Sequence, residues 1–368
     1  VPTADHLTPP ADTPSWRLVA STPGMIENLA LTAHPEALGP LLPHQVRVDV
    51  RAAGVNFRDL LTILGLYPGR QGLGLEGAGV VVEVGTAVTG VAPGDRVMGL
   101  LPGGFGPTAV TDHRSLTRVP AGWSFVEAAS TPVAFLTAYY ALVHLAPVRP
   151  GESLLVHSAA GGVGLAATQL ARHRGVEVFG TAHPRKWDVL RAEGIGEDRL
   201  ASSRTVEFED KFRRTTRGRG VDVVLNSLAG EFVDASLRLL SRGGRFVEMG
   251  KTDIREAAWV ERTYPGLSYR RFVLTDAGPG LVRRMLSEVV DLFSSGALRL
   301  LPVTTWSILQ APEAFRFLSQ ARHIGKIVLT IPQGRSGAAA SRTGSAPPCC
   351  PDAVSTEFAS HRCSRCSR

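Results

Sequence analysis

Cysteine is missing from residues 1–333; all four, Cys349, Cys350, Cys363 and Cys366, crowd into residues 334–368. That absence excludes a disulfide scaffold for the body of the chain and fits a reducing, cytoplasmic setting. Uninterrupted apolar runs of the roughly 20 residues that span a bilayer are lacking too, so no membrane partner is expected. The opening VPTADHLTPPADTPSW has no basic stretch leading into an apolar run and does not read as a signal peptide. Its prolines and threonines read as a linker over residues 1–13. Basic stripes interleaved with aromatics are absent. Of the seven net positive charges, three come from residues 334–368, where five arginines face one aspartate and one glutamate. The rest are scattered, which argues against nucleic acid. G-x-S-x-G does not occur, and no Ser-His-Asp or Cys-His arrangement suggests a nucleophilic enzyme.

The cysteine-bearing segment has two readings. Cys363 and Cys366 have the spacing of a metal knuckle or redox pair, which Cys349 and Cys350 could complete. However, the segment has little apolar periodicity to organise zinc. It reads as a disordered or non-native tail.

What the chain does hold is 368 residues with 44% hydrophobic and 20% charged side chains, enough for two cored domains. The first part is strand-rich. QVRVDVRAAG alternates polar and apolar residues, GAGVVVEVG is bounded by glycines, and VAPGDRVMGL sets a P-G-D turn before a strand. FRDLLTILGLYPG offers a short amphipathic helix between them. After about residue 130 the pattern becomes strand, helix, strand: ESLLVHSA, GGVGLAATQLARHRG, VEVFGTA, PRKWDVLRAEG, VDVVLNSLA, EFVDASLRLLSRGG and RFVEMG. Such a series builds a parallel sheet covered by helices. The fold class expected is α/β, a Rossmann-like parallel sheet inserted into a strand-rich domain.

The stretch VHSAAGGVGLAATQLARH sits at a strand–helix junction of that series. Gly161, Gly162 and Gly164, with Ala160 and Val163, can turn the backbone tightly and bring helix amides to a pyrophosphate. Ala159 takes the first glycine position of G-x-G-x-x-G, so close helix–sheet packing is the alternative role. About 20 residues on, no acid closes the next strand to take ribose hydroxyls. His183, Arg185 and Lys186 stand there instead, where cations would pair with a 2′-phosphate. The cofactor expected is therefore NADPH rather than NADH, unless those cations only solvate a helix start.

Long phrases follow one another in a recognisable order: AGVNFRDLL, LGLYPG, EGAGVVVEVG, PGDRVMGL, PVAFLTAYYAL, SLLVHSAAGGVG, VDVVLNSLAGEFVDASLRLL, GGRFVEMGKTDI and APEAFRFLSQARHIGKIVLT. Over about residues 14–333 the chain resembles the zinc-independent, quinone-reductase-like medium-chain dehydrogenase/reductases. Among these it is most similar to the enoyl reductase domains of modular type I polyketide synthases. The resemblance implies a GroES-like substrate domain over residues 14–134, the Rossmann-like NADPH-binding domain over 135–275, and a helix and return to the substrate domain over 276–333. It implies as substrate an enoyl thioester on the phosphopantetheine arm of an acyl carrier protein, with neighbouring polyketide synthase domains as partners. No metal is expected, because Glu76 in G-L-E-G has no ligating histidine beside it.

Reduction of such a thioester adds hydride to Cβ and a proton to Cα, with charge collecting on the thioester oxygen between them. Tyr67, in the Y-P-G phrase, is the family position associated with proton delivery or α-carbon stereochemistry; otherwise it packs a helix end. Lys251, in EMGKTDI beyond a strand, can protonate or stabilise an enolate, or be a solvated turn lysine. Asn56 and Thr137 are placed by resemblance near the nicotinamide or its ribose, and Asn226, after strand VDVVL, is expected to line the same crevice. Arg58 and Asp59 are expected to lock their loop internally. One departure stands out: where the family often has Y-R-x-F-D-L, this chain has YRRFVL, placing Val273 at the aspartate proposed as the lysine's companion. The alternatives are a free-standing quinone or enone reductase and an inactive NADPH-binding module.

Overall fold

A computed structural model describes residues 6–69 and 72–333. The cysteine-bearing segment, and with it the reading of a tail, lies outside the described residues.

Two strands not legible in the sequence, β1 (Trp16–Ala20) and β2 (Leu29–Ala33), pair antiparallel at the start. The alternating stretch then becomes β3 (Gln45–Val55), with Val46, Val48 and Val50 fully buried on one face. Helix α1 (Phe57–Ile63) and strands β4 (Glu76–Val84), β5 (Arg96–Leu100), β6 (Thr108–Asp112) and β7 (Leu116–Arg118) follow. Helix α2 (Phe125–Ala129) starts at a capping box. The Ser124 hydroxyl accepts from Glu127 N while the Glu127 carboxylate accepts from Ser124 N. Helix α3 (Pro132–Tyr139) continues into a π-helical turn over Tyr140–Leu145. The run Phe125–Leu145 is long and apolar enough to cross a membrane by composition, but 72% of its apolar window is buried inside the protein.

Next come β8 (Ser153–Val156), α4 (Gly162–His173), β9 (Glu177–Ala182), α5 (Trp187–Ala192), β10 (Leu200–Ser202), α6 (Phe208–Thr215), β11 (Val221–Asn226), α7 (Glu231–Leu239), β12 (Leu240–Glu248), α8 (Ala257–Thr263) and β13 (Ser268–Arg271). Their six strands are all parallel, in the order β10-β9-β8-β11-β12-β13. Successive residues point to opposite faces. Leu154, Val156, Val223 and Leu225 enter one core, while Leu155, Val224, Phe179 and Phe246 enter the other. Strand order reverses between β8 and β11, and a ligand crevice is expected above the carboxyl ends of strands at such a switch.

Helix α9 (Gly278–Ser294) packs on both lobes: Val282, Met285, Leu286 and Val289 are buried with α3 and α4, while Phe293 stacks edge-on against Trp123 and Val290 packs beside it near β7. Strand β14 (Val303–Ser307), α10 (Ala311–Ser319) and β15 (Lys326–Thr330) close the chain of elements. β15 pairs antiparallel with residues 52–55 of β3, on the same edge that β6 takes at residues 45–49. The first lobe is thus one seven-stranded sheet made from both ends of the described chain, with the parallel sheet inserted between.

His157, just past β8, is buried with both ring nitrogens within 2.8 Å of hydroxyls, Thr181 Oγ1 and Ser236 Oγ. Burial pushes its pKa down to about 3 from 6.5. A depressed folded-state pKa means that the unfolded chain binds the extra proton. This contribution to stability is whole above pH 6.5 and is lost as pH falls toward 3, at up to about 1.4 kcal/mol per pH unit. Urea unfolding across that window, compared with His157→Gln, should show about one proton less uptake in the variant. An unchanged slope would contradict a neutral buried His157.

Candidate active site

Between β8 and α4 the chain turns through Ser158, whose φ of 52° is left-handed. Gly161 N donates to Ser158 O and Leu165 N to Gly161 O, both at 2.9 Å. The first-turn amides of α4, on Gly162, Val163 and Gly164, have no acceptor within their own helix and suit an anion. The glycines divide the work. A Cβ on Gly164 would lie 2.6 Å from Ala159 Cα, Ala159 O and Ser158 O, so its role is close helix–loop packing. A Cβ on Gly162 would lie 2.6 Å from Lys326 Cδ. The space expected to admit a pyrophosphate is, on that side, filled by a lysine stem. Ala160 is buried and accepts from Gly325 N at 3.0 Å.

At the end of β9, His183 Nδ1 accepts from Arg185 N, and Arg185 is exposed. Lys186 differs from expectation. Its ammonium donates to His323 O at 2.6 Å, and burial, followed by the charge of Arg204, lowers its pKa. Arg204 was not singled out from the sequence. It is exposed just beyond β10, and Ser203 N donates to Ala182 O, bringing the ends of β9 and β10 together. Arg185 and Arg204 are thus exposed cations near this strand end, while the Lys186 ammonium is held by the His323 carbonyl. Only the strand pairing reveals Arg204.

Asn226 stands at the end of β11. It is 0% exposed, and its amide donates to Glu248 Oε2 and Leu228 O, both at 2.8 Å. It ties the ends of β11 and β12 together. Glu248, 1% exposed, also accepts from Gly250 N; burial raises its pKa to about 7.

Lys251 follows on the same loop, at the carboxyl end of the parallel sheet. Its Nζ donates to Phe272 O at 3.0 Å. Burial lowers its pKa, while Glu248 and Asp276 oppose that shift. Asp276 therefore lies within electrostatic reach of the lysine, although Val273 occupies the companion position. Asp276 Oδ2 also accepts from Val273 N at 3.1 Å.

On the substrate lobe, the buried Asp59 carboxylate accepts from Asn56 N at 2.9 Å and Gly74 N at 3.0 Å, and Arg58 donates to Gly72 O. Together they staple the two sides of the loop that carries Tyr67. The half-buried Tyr67 ring has the Arg58 guanidinium 5.7 Å from its centroid. Thr137 is partly exposed on α3. Asn56 is largely spent inside the protein: Nδ2 donates to Glu76 Oε1 at 2.9 Å and Gly54 O at 3.3 Å, and Oδ1 accepts from Lys326 Nζ at 2.8 Å.

A sheet-rich lobe interrupted by a parallel nucleotide-binding sheet defines a medium-chain dehydrogenase/reductase. Residues 42–132 match the alcohol dehydrogenase GroES-like domain, and residues 195–329 match a zinc-binding dehydrogenase family. The donor set does not fit zinc. Among the described residues no three His, Cys, Asp or Glu side chains cluster to hold a metal, and the Glu76 carboxylate is paired with Lys326 at 2.7 Å.

The chain is 57% identical over 343 residues to the phenolphthiocerol synthesis polyketide synthase type I Pks15/1 of Mycobacterium marinum, covering 93% of this chain and 16% of that protein. It is similar to the CurK enoyl reductase structure at 38% identity and a TM-score of 0.80, covering 86% of this chain and 99% of that one. It is also similar to Escherichia coli quinone oxidoreductase complexed with NADPH, at 26% identity and a TM-score of 0.77, with 86% and 99% covered. The chain belongs to the enoyl reductase domain family of modular polyketide synthases.

Proposed function

We propose that the protein reduces α,β-unsaturated acyl thioesters with NADPH, the acyl chain being delivered on the phosphopantetheine arm of an acyl carrier protein among neighbouring polyketide synthase domains. The observation that carries this reading is shared geometry. The glycine loop after β8 and Lys251 after β12 both lie at the carboxyl edge of one parallel sheet, on either side of its switch point.

The residues present suit the cofactor. First-turn amides of α4 would hold the pyrophosphate, and the exposed Arg185 and Arg204 would pair with a 2′-phosphate. NADPH, when bound, supplies the hydride. The chain's own part is to hold the thioester with its β-carbon toward the nicotinamide and to meet the charge that grows on the thioester oxygen as Cβ gains hydride. The Lys251 ammonium is the cation placed for that. Proton delivery to Cα is assigned to Lys251 or to the Tyr67 phenol, the resemblance being the support for Tyr67.

The test is nicotinamide absorbance with crotonyl-pantetheine thioester in one cuvette and a simple quinone in another. Thioester turnover with a poor quinone rate, and a changed α-carbon configuration in Tyr67→Phe on an α-methyl substrate, is the result expected. Turnover of the quinone alone would replace this reading with a free-standing quinone reductase. NADPH binding without either reaction would leave only a binding module.

A further inference from the structure

We propose that Lys326 is a positioning residue: a buried strut that ties the glycine loop to the substrate lobe and fixes the nicotinamide side of the dinucleotide crevice. The inference rests on the NADPH reading above. Residues 323–326 touch the candidate nucleotide site at three places. The His323 carbonyl accepts from Lys186 Nζ, one residue on from Arg185. Gly325 bridges to Gly161 and donates its N–H to Ala160 O. Lys326 then runs its stem across Gly162, with Cδ 2.6 Å from where a Cβ would stand. Its ammonium uses all three donors: Val55 O at 2.8 Å, Asn56 Oδ1 at 2.8 Å and Glu76 Oε1 at 2.7 Å.

Both ends of the strut are fixed. Gly325 has φ 66°, and a Cβ there would meet Pro302 O at 2.1 Å, so the approach to Lys326 is locked in backbone. Glu76 is 0% exposed, and its second oxygen accepts from Val133 N at 2.7 Å at the start of α3. Lys326 itself is 5% exposed and has no N–H to spare for a ligand. Its effect on binding must therefore pass through what it holds. In a Rossmann crevice the adenosine ribose lies past the second strand, here β9, and the nicotinamide half crosses the switch point. Lys326 links the glycine loop to Asn56, on the nicotinamide side, while Arg185 and Arg204 hold the adenosine side without it.

Removing the ammonium alone would strand the buried Glu76 charge and threaten folding. The variant to make is therefore the double one, Lys326→Met with Glu76→Gln, which removes both charges and keeps the stem. Calorimetric titration compares NADPH with 2′,5′-ADP, which carries only the adenosine half, alongside thermal unfolding. The expected result is a cooperative fold, 2′,5′-ADP affinity within about twofold of the unchanged chain, and NADPH about tenfold weaker. Lys326→Arg provides a second route should the double variant not fold. It keeps Glu76 paired, but its planar fork does not fit the three-oxygen socket without moving Gly162, so the same split is expected. Equal affinity for both ligands in a folded variant, or equal loss of both, would overturn the positioning role. If the unchanged chain binds no NADPH, the functional reading itself falls, and the inference with it.

Discussion

Gly164→Val is expected to abolish dinucleotide binding and to lower the unfolding free energy by about 3 kcal/mol. The reason is the identity of the neighbours. The first added carbon would lie 2.6 Å from three atoms that are all backbone, in Ala159 and Ser158. No rotamer change relieves such contacts, so α4 must lift from the end of β8. The helix start that presents its amides to a pyrophosphate moves with it. Urea unfolding and NADPH titration on the purified variant would measure both effects. Gly162→Ala is the informative comparison, because its 2.6 Å neighbour is the side chain of Lys326 rather than backbone. A Gly164→Val protein with native stability and affinity would show that α4 does not need this closeness.

Lys251→Ala is expected to slow thioester reduction about a hundredfold or more while leaving NADPH affinity unchanged. The lysine is anchored by the Phe272 carbonyl and sits beyond β12, so its loss removes a cation from the reacting end of the crevice without disturbing the glycine loop. Burial holds its pKa below the ordinary lysine value. If the protonated amine is the active form, the rate falls as pH rises through that lowered pKa, and the variant should lack this alkaline limb. Asp276→Asn removes one of the two carboxylates that oppose the shift, so the limb should move to lower pH. A Lys251→Ala enzyme with an unchanged pH–rate profile would remove the lysine from the chemistry. The same profile addresses Val273. Asp276, and Glu248 once it ionises above about pH 7, supply negative charge to Lys251, so the missing family aspartate does not leave the lysine alone.

The sequence revealed those features whose cause is local. Period-two strands and the glycine cluster at a strand–helix junction both locate the parallel sheet, because backbone geometry and side-chain direction are written within a few neighbouring residues. Ser124 and Glu127 form an S-x-x-E box that would have marked α2 in advance. The direction of the Asn226 side chain has a longer-range cause. The end of a parallel strand is where ligand-facing residues sit, but whether a side chain turns outward depends on the next strand, and Glu248 on β12 draws this one inward. Lys326 and Glu76 were beyond local reach altogether. They are 250 residues apart in the chain, and each alone resembles an ordinary charged residue next to a strand.

That separation bears on how the chain acquires its shape during synthesis. The parallel sheet occupies one continuous stretch, from β8 to β13, and can close as soon as those residues emerge. The other sheet cannot, because β3 must wait for β15 and β14 before its edge is covered. Pairings of such long range are slow and leave strand edges exposed in the interim. The nascent nucleotide lobe therefore matures first, beside a partner sheet still short of two strands. Lys326 lies in β15 and emerges after the whole parallel sheet, so the strut proposed above can form only once β15 has been made.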